Sequence, residues 1–205
     1  MGPPKKRQML AAGALWAALW LPPLRGLLEH DMTLHMLAQL PLLIGIGYAL
    51  AAALRSSEPR WLVEADWLGI PGLLAVVFAT SFWMLPRMLD RALAEPLFDL
   101  AKFLSLPLFA GVPLALSWRR MPPLGRAFIW ANFIPKLGAI GGLYLGAPIR
   151  LCAYYRLDQQ AAAGRALVIT ATTLGALWFL AAFFGWPPRQ AVGRAPPCRR
   201  WHRGA

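Results

Sequence analysis

The chain has 205 residues, of which 58% are hydrophobic and only 15% charged, and its formal net charge is +12. This composition is too apolar for an ordinary soluble domain, and uncharged stretches of about 20 residues have the length of a helix that crosses the membrane. We therefore predict an all-α, polytopic transmembrane helix bundle. The positive charge is assigned to topology and to contacts with anionic membrane lipid, which excludes nucleic acid as a partner.

Apolar segments in chain order predict about six spans, near 9–21, 31–54, 66–85, 100–118, 127–148 and 165–186. The first segment follows a basic start and also fits a signal peptide, whose cleavage would leave five spans. No small-x-small cleavage site follows it, which favours a retained helix. Between the third and fourth spans, leucines at 89, 93, 97 and 100 recur at helical spacing and predict a helix in the membrane interface.

Three regions follow from this pattern: a basic cytoplasmic N-terminus (1–8), the bundle (9–186) and a basic, disordered cytoplasmic tail (187–205). With the N-terminus inside, thirteen Lys and Arg residues lie on the cytoplasmic side and seven on the other, including Lys102. The chain is thus expected to be a multi-pass protein of a bacterial-type inner (plasma) membrane.

This topology places three segments that carry possible metal donors at one extracytoplasmic face: HDMTLHM (30–36), WMLPRM (83–88) and LCAYYRLDQQ (151–160). Thioether, imidazole and thiolate donors together suit Cu(I). The candidate ligands are His30, His35, Met36, Met32, Met84 and Cys152.

The alternative for these side chains is structural. Methionine is ordinary filler in apolar helices, a buried cysteine behaves as a small hydrophobe, and an interfacial histidine can simply bond to headgroups or backbone. His30 and His35 are also five residues apart, about 140° round a helix, so both could bind one ion only if His30 lies in a loop.

Lys136 falls near the middle of the fifth predicted span, where a charge costs about 2.5–3.5 kcal/mol and should face a partner inside the bundle. We expect that partner to be Asn132 or a carbonyl freed by Pro135. A structural pattern follows on the same segment, because three glycines spaced by four residues predict a surface for close helix packing. These glycines are Gly138, Gly142 and Gly146.

The tripeptide Asp158, Gln159 and Gln160 opens the last apolar helix. Asp158 is expected to be its N-cap, with the carboxylate on the free backbone amides. Capping does not explain the two glutamines.

Several short motifs occur in the order seen in a known family. His30 is followed by His35-Met36 and by Pro41-Leu42-Leu43. The next motifs are Trp83-Met84-Leu85-Pro86, then Ala92-Leu93 with Pro96 in a turn into a helix that ends near Trp118, and finally Asp158-Gln159-Gln160. In this order, residues 28–186 resemble the CtaG-type cytochrome c oxidase assembly family. Two departures are that Met84 stands where the family usually has His, and Ala101-Lys102 where it has a Glu-His pair.

The resemblance implies an integral membrane protein that is associated with copper delivery to a respiratory haem-copper oxidase, with oxidase subunits or a copper chaperone as partners. His30, His35, Met36 and Asp158 carry over directly, and Met84 by position only. The alternatives are a permease or channel-like protein that uses Lys136 and proline-broken helices, or an assembly scaffold without a ligand. No catalytic motif is found, so an enzyme is not expected.

Overall fold

The computed structural model describes residues 3–54, 64 and 66–184, and in these ranges every regular element is a helix, which confirms the predicted all-α fold. The basic tail, 187–205, lies outside the described residues. The helices are α1 (Pro3–Trp20), α2 (Pro22–His30), α3 (Met32–Ala53), α4 (Ile70–Trp83), α5 (Pro86–Ala94), α6 (Pro96–Ser117), α7 (Pro123–Gly146) and α8 (Leu157–Phe184).

Four of these helices, α3, α6, α7 and α8, are long and apolar enough to cross a membrane. A fifth span is obtained if α4, with the turn Trp67–Gly69 before it, and α5 are counted as one unit bent by 70°. The count is therefore four to five where the hydropathy predicts about six. A multi-pass helical bundle is confirmed, whereas its orientation in the membrane stays a prediction.

The first predicted span accounts for the difference. It lies in α1, which begins at Pro3, so the basic residues form the first turns of the helix. The apolar part, 9–20, rises only about 18 Å at 1.5 Å per residue, less than the ~30 Å of a hydrocarbon core. Helix α1 nevertheless packs on the bundle, with Leu19 only 1% exposed. The indole of Trp16 donates to the Phe103 carbonyl, 3.1 Å away.

Prolines mark the start of three helices that overlap or follow the donor-bearing segments 30–36 and 83–88. Pro22, Pro86 and Pro96 each occupy the first turn of a helix, where a missing N–H costs nothing. The residue before a proline avoids helical backbone angles, and both Leu85 and Glu95 are extended. The chain therefore turns sharply between α4, α5 and α6.

Two of the spans contain a π-helical turn, His35–Gln39 in α3 and Leu106–Gly111 in α6. The two helices cross with their backbones in close contact. A Cβ added to Gly47 would collide with the Pro107 carbonyl, and one added to Gly111 would collide with the Ile44 carbonyl. Glycine at 47 and 111 is thus what lets α3 and α6 approach.

Helices α7 and α8 make their close contact through a glycine pair that differs from the predicted surface. A Cβ on Gly141 would lie 2.8 Å from the Gly164 carbonyl oxygen, and one on Gly164 would lie 2.9 Å from that of Gly141. Of the predicted glycines, Gly138 is near Ala171, but Gly142 and Gly146 would meet nothing within 4 Å. The prediction is corrected here, because the buried face of α7 runs through Leu137, Gly141 and Tyr144.

Helix α5 has the two-sided character expected of an interfacial helix. Leu89 and Ala92 are buried, whereas Arg87 and Arg91 are exposed. It ends at Ala94, and α6 starts at Pro96, earlier than predicted from the sequence. The leucine periodicity does not continue as one buried face, since Leu97 is 72% exposed.

Candidate functional site

The three donor-bearing segments meet at one end of the bundle. The backbone N–H of Ala153 donates to Asp90 Oδ2 (2.8 Å), and the Gln159 amide donates to the carbonyl of His30 (3.1 Å). The Tyr155 hydroxyl donates to the carbonyl of Glu29 (3.0 Å). The loop 147–156 therefore lies against both the α2–α3 junction and α5, as the predicted topology requires.

The centre of this end is the ammonium group of Lys102, which is fully buried two turns into α6. It donates to Glu29 Oε1 (2.8 Å), to His35 Nε2 (3.3 Å) and to Gln39 Oε1 (3.3 Å). Asp99 Oδ1 is 3.1 Å away as an ion pair, but without the angle of a hydrogen bond. Three N–H donors thus meet three acceptors, with a second carboxylate beside them.

The imidazole of His35 is bonded through both ring nitrogens. Nε2 faces the Lys102 ammonium, which has only donors, so Nε2 accepts. Nδ1 lies 2.7 Å from the Tyr155 hydroxyl, whose proton goes to the carbonyl of Glu29, so Nδ1 donates. We assign a neutral ring with its proton on Nδ1 from these partners.

Arg25 links the two carboxylates from the outer side of the cluster. It pairs with Glu29 (3.0 Å) and with Asp99 (3.0 Å), and it is about one third exposed. Burial raises the pKa of the Glu29 carboxyl, but the Lys102 ammonium lowers it more, with help from Gln39 and Arg25. The net result is a pKa below the ordinary value. Two carboxylates, one ammonium and one guanidinium leave the cluster neutral.

Local structure explains why these groups converge. In the π-helical turn His35–Gln39, the side chains of His35 and Gln39 both point to the same ammonium. Asp99 and Lys102 are three apart on α6 and share a face. The carboxylate of Asp31 caps α3 by accepting from Thr33 N and Leu34 N, which starts that helix just before the turn.

The two histidines of HDMTLHM are not brought to one point. His30 is the last residue of α2 and is exposed, whereas His35 is buried in α3, and the extended backbone of Asp31 separates them. Only the carbonyl of His30 enters the network, through Gln159. Sequence spacing allowed a shared ion if His30 lay in a loop, and the structure places it in a separate helix instead.

The four sulfur side chains among the candidate ligands all belong to the buried apolar core of the bundle. Met32, Met36, Met84 and Cys152 are 0%, 2%, 8% and 0% exposed. The Cys152 sulfur lies 3.9 Å from the Tyr144 hydroxyl. Burial raises the pKa of the Cys152 thiol to about 12, and the Asp90 carboxylate adds to this effect. Cys152 is therefore a thiol at neutral pH.

The Asp-Gln-Gln motif joins helices rather than capping one. Helix α8 already begins at Leu157, so Asp158 lies in its first turn, where it pairs with Arg156 (3.1 Å) on the surface. Gln159 reaches His30 as described above. Gln160 is buried, accepts from Leu151 N (2.8 Å) and donates to the Tyr144 carbonyl (3.2 Å). The glutamines hold the loop 147–156 in place, and the predicted N-cap role of Asp158 is corrected.

Lys136 finds its partners on a neighbouring helix. Its ammonium donates to Ser81 Oγ (2.8 Å) and Thr80 Oγ1 (3.2 Å) of α4. The partner expected from the sequence was Asn132 or a carbonyl freed by Pro135, both on the same helix as Lys136. Two hydroxyls that already bond to carbonyls of α4 can still accept, so this amine is satisfied without a carboxylate.

Sequence reasoning missed the groups around Lys102. The charge pattern alone places Lys102 among the loop charges and assigns no role to Glu29 or Asp99. A signal was present, because Lys102 follows Asp99 by three residues at the edge of an apolar run, and isolated charges at such a depth need partners. Which acid supplies the partner across 73 residues of chain, as Glu29 does, depends on the tertiary fold.

Within the described ranges, no group of three or more His, Cys, Asp and Glu side chains is arranged to hold a metal ion. Comparisons of the chain with protein-family models, curated proteins and solved structures find no match.

Proposed function

We propose that this chain is a multi-pass membrane protein that handles Cu(I) at the donor-rich end of its bundle during assembly of a respiratory haem-copper oxidase. The observation that carries the proposal is the burial of four sulfur side chains on the three donor-bearing segments, which meet at that end. Thioethers and a thiol are soft donors, which favour Cu(I) over the harder divalent ions. The resemblance of the motif order to the CtaG-type family supports the oxidase as the destination.

The ligands in this proposal are sulfurs rather than imidazoles. Met32, Met36, Met84 and Cys152 have no ionic partner to give up, whereas His35 would have to leave both Lys102 and Tyr155 before it could bind a metal. Cys152 would lose its proton on binding. Met84 is the most exposed of the four residues, at 8%, and is the natural first contact for an arriving ion.

Transfer, and no chemical conversion, is the proposed mechanism. A few neutral thioethers bind Cu(I) through soft donor atoms and can be replaced one by one by the sulfurs of a partner. The surrounding apolar side chains limit the access of water to the ion. The expected partners are oxidase subunits or a copper chaperone on the extracytoplasmic side.

The test is a Cu(I) competition titration of the purified protein in detergent, with bathocuproine disulfonate as the competing chelator. Met36→Leu and Met84→Leu keep the side-chain volume and remove the thioether, so they should fold. Each should weaken Cu(I) binding by about tenfold or more. The matched control is Met121→Leu, a buried methionine at the opposite end of the bundle, which should leave the affinity unchanged.

Equal affinity in the wild type, both test variants and the control would overturn the sulfur site. His30→Ala is a useful further variant. Of the two described histidines at this end, His35 is bonded through both ring nitrogens, whereas the imidazole of His30 is exposed and could still bind a metal. The permease and scaffold alternatives stay predictions.

A further inference from the structure

The acceptors around the Lys102 ammonium form a closed shell. Glu29, His35 and Gln39 each receive one N–H, Asp99 adds a second carboxylate, and the Lys102 side chain is not exposed at all. Hydrogen bonds from an ammonium to charged and neutral acceptors at 2.8–3.3 Å use all three protons. The shell therefore satisfies one small cation completely.

The charges require a cation at this point. With the imidazole of His35 neutral, Glu29 and Asp99 supply two negative charges, and Arg25 compensates one of them from the outside. Without the ammonium, one negative charge would be left in a buried site, which is strongly unfavourable. The fourth charge of the cluster must be positive and single.

The size of the shell selects the kind of cation. Its nitrogen and oxygen atoms lie 2.8–3.3 Å from a common centre, the nitrogen of Lys102. Zinc is bound by nitrogen and oxygen at about 2.0–2.2 Å. A transition metal would require every donor to move inward by about 1 Å, whereas an ammonium ion needs no movement.

The acceptors are also held in position by hydrogen bonds and ion pairs to groups other than Lys102. Tyr155 fixes the imidazole of His35, Arg25 holds both carboxylates, and the Gln39 amide donates to Glu29 (3.1 Å). These groups come from α2, α3, α6 and the loop 147–156. The shell is thus set by several elements and does not depend on Lys102 alone for its shape.

We propose that this shell is a binding site for a primary ammonium ion, which the chain fills with its own lysine, and that it excludes divalent metals. The inference concerns nitrogen and oxygen acceptors and is independent of the proposed sulfur ligands. It accounts for His35 as an acceptor for a cation that belongs to the protein.

The proposal is tested with Lys102→Ala and n-propylammonium chloride, since this ion replaces the three carbons and the ammonium that the substitution removes. The variant is purified in detergent with either n-propylammonium or tetramethylammonium at equal ionic strength. n-Propylammonium should increase the recovery of monodisperse protein on size exclusion. It should also raise the Tm by about 5 °C or more near saturation, whereas the wild type should not respond.

Lys102→Ala/Glu29→Gln is the matched control, because it restores charge balance but removes the strongest acceptor. It should fold without preference between the two salts. Added Co²⁺ should not bind to the shell in Lys102→Ala, and its visible spectrum should therefore show no ligand-field bands of coordination by nitrogen and oxygen. Equal recovery and equal Tm of Lys102→Ala in the two salts, including failure to fold in both, would overturn the proposal, and so would Co²⁺ bands that the control lacks.

Discussion

The hydroxyl of Tyr155 lies 2.7 Å from Nδ1 of His35 and joins the loop 147–156 to α3. Because its single proton is donated to the carbonyl of Glu29, the oxygen accepts from the imidazole. A residue more than a hundred positions away thus determines which nitrogen of His35 carries the proton. The other nitrogen is thereby free to accept from Lys102.

Tyr155→Phe should destabilise the protein by about 1–3 kcal/mol, because it leaves the buried N–H of His35 and the carbonyl of Glu29 without their partner. The measurement is thermal unfolding in detergent, followed by tryptophan fluorescence. Tyr154→Phe is the matched control, since that neighbouring side chain is 57% exposed, and should change the stability by less than about 0.5 kcal/mol. Similar losses in both variants would contradict the role given to Tyr155.

Stability should fall in acid through Glu29. The pKa of its carboxyl is lowered in the folded protein, so the folded protein stabilises the ionised form more than the unfolded chain does. This contribution is fully present above the ordinary value of 4.5 and is lost as the pH falls below that value through the folded pKa. Scans of Tm from pH 7 to about pH 3 should show it.

Glu29→Gln isolates this effect from other carboxyls. The variant should be less stable than the wild type at pH 7, and the difference should shrink toward low pH, where Glu29 is protonated in both states of the wild type. A constant difference across the scan would mean that the ionisation of Glu29 contributes nothing.

Gly141→Ala should destabilise the contact between α7 and α8. The new methyl would lie 2.8 Å from the Gly164 carbonyl, which belongs to backbone and cannot move freely, and overpacking of this kind costs about 1–3 kcal/mol. Gly142→Ala, one residue along, meets nothing within 4 Å and should be neutral or slightly stabilising. The Tm values of the two variants are compared by thermal unfolding. A lower Tm for Gly142→Ala than for Gly141→Ala would instead support the packing surface predicted from the glycine spacing.

Cys152 should resist thiol reagents in the folded protein. It is fully buried, and its pKa of about 12 leaves almost no thiolate at pH 8. In a Cys198→Ser background, maleimide labelling should be slow until the protein is denatured. The control is Cys152→Ala with Ala153→Cys in the same background, which moves the thiol to an exposed position and should label quickly. Rapid native labelling of Cys152 would show that it is accessible.

The features predicted well from the sequence are those that depend on composition and length. Long apolar segments predict α3, α6, α7 and α8. The alternation of loops predicts the common end of the three donor-bearing segments. The first predicted span falls short of a crossing helix because its apolar run is shorter than the membrane is thick. Basic residues directly precede this run, and α1 contains both.

The candidate site was predicted less well, because its essential relations are not local. Burial of Met32 and Met36 on one face follows from their spacing by four. The pairing of Lys102 with Glu29 does not, since it requires α2 and α6 to meet. A charge next to an apolar run was read as a topology signal, although this lysine lies inside the bundle.

The π-helical turn His35–Gln39 also makes the whole of α3 sensitive to chain length. Such a turn holds one residue more than the α-helical turn it replaces. Deleting a single residue there would allow a regular helix, but it would rotate everything that follows by about 100° about the helix axis. Gly47 would then turn away from Pro107, and the side chains that now pack inside the bundle would turn by about a quarter of a circle toward its surface. The number of residues between His35 and Gly47 therefore determines the contact between α3 and α6 as much as the identity of these residues does.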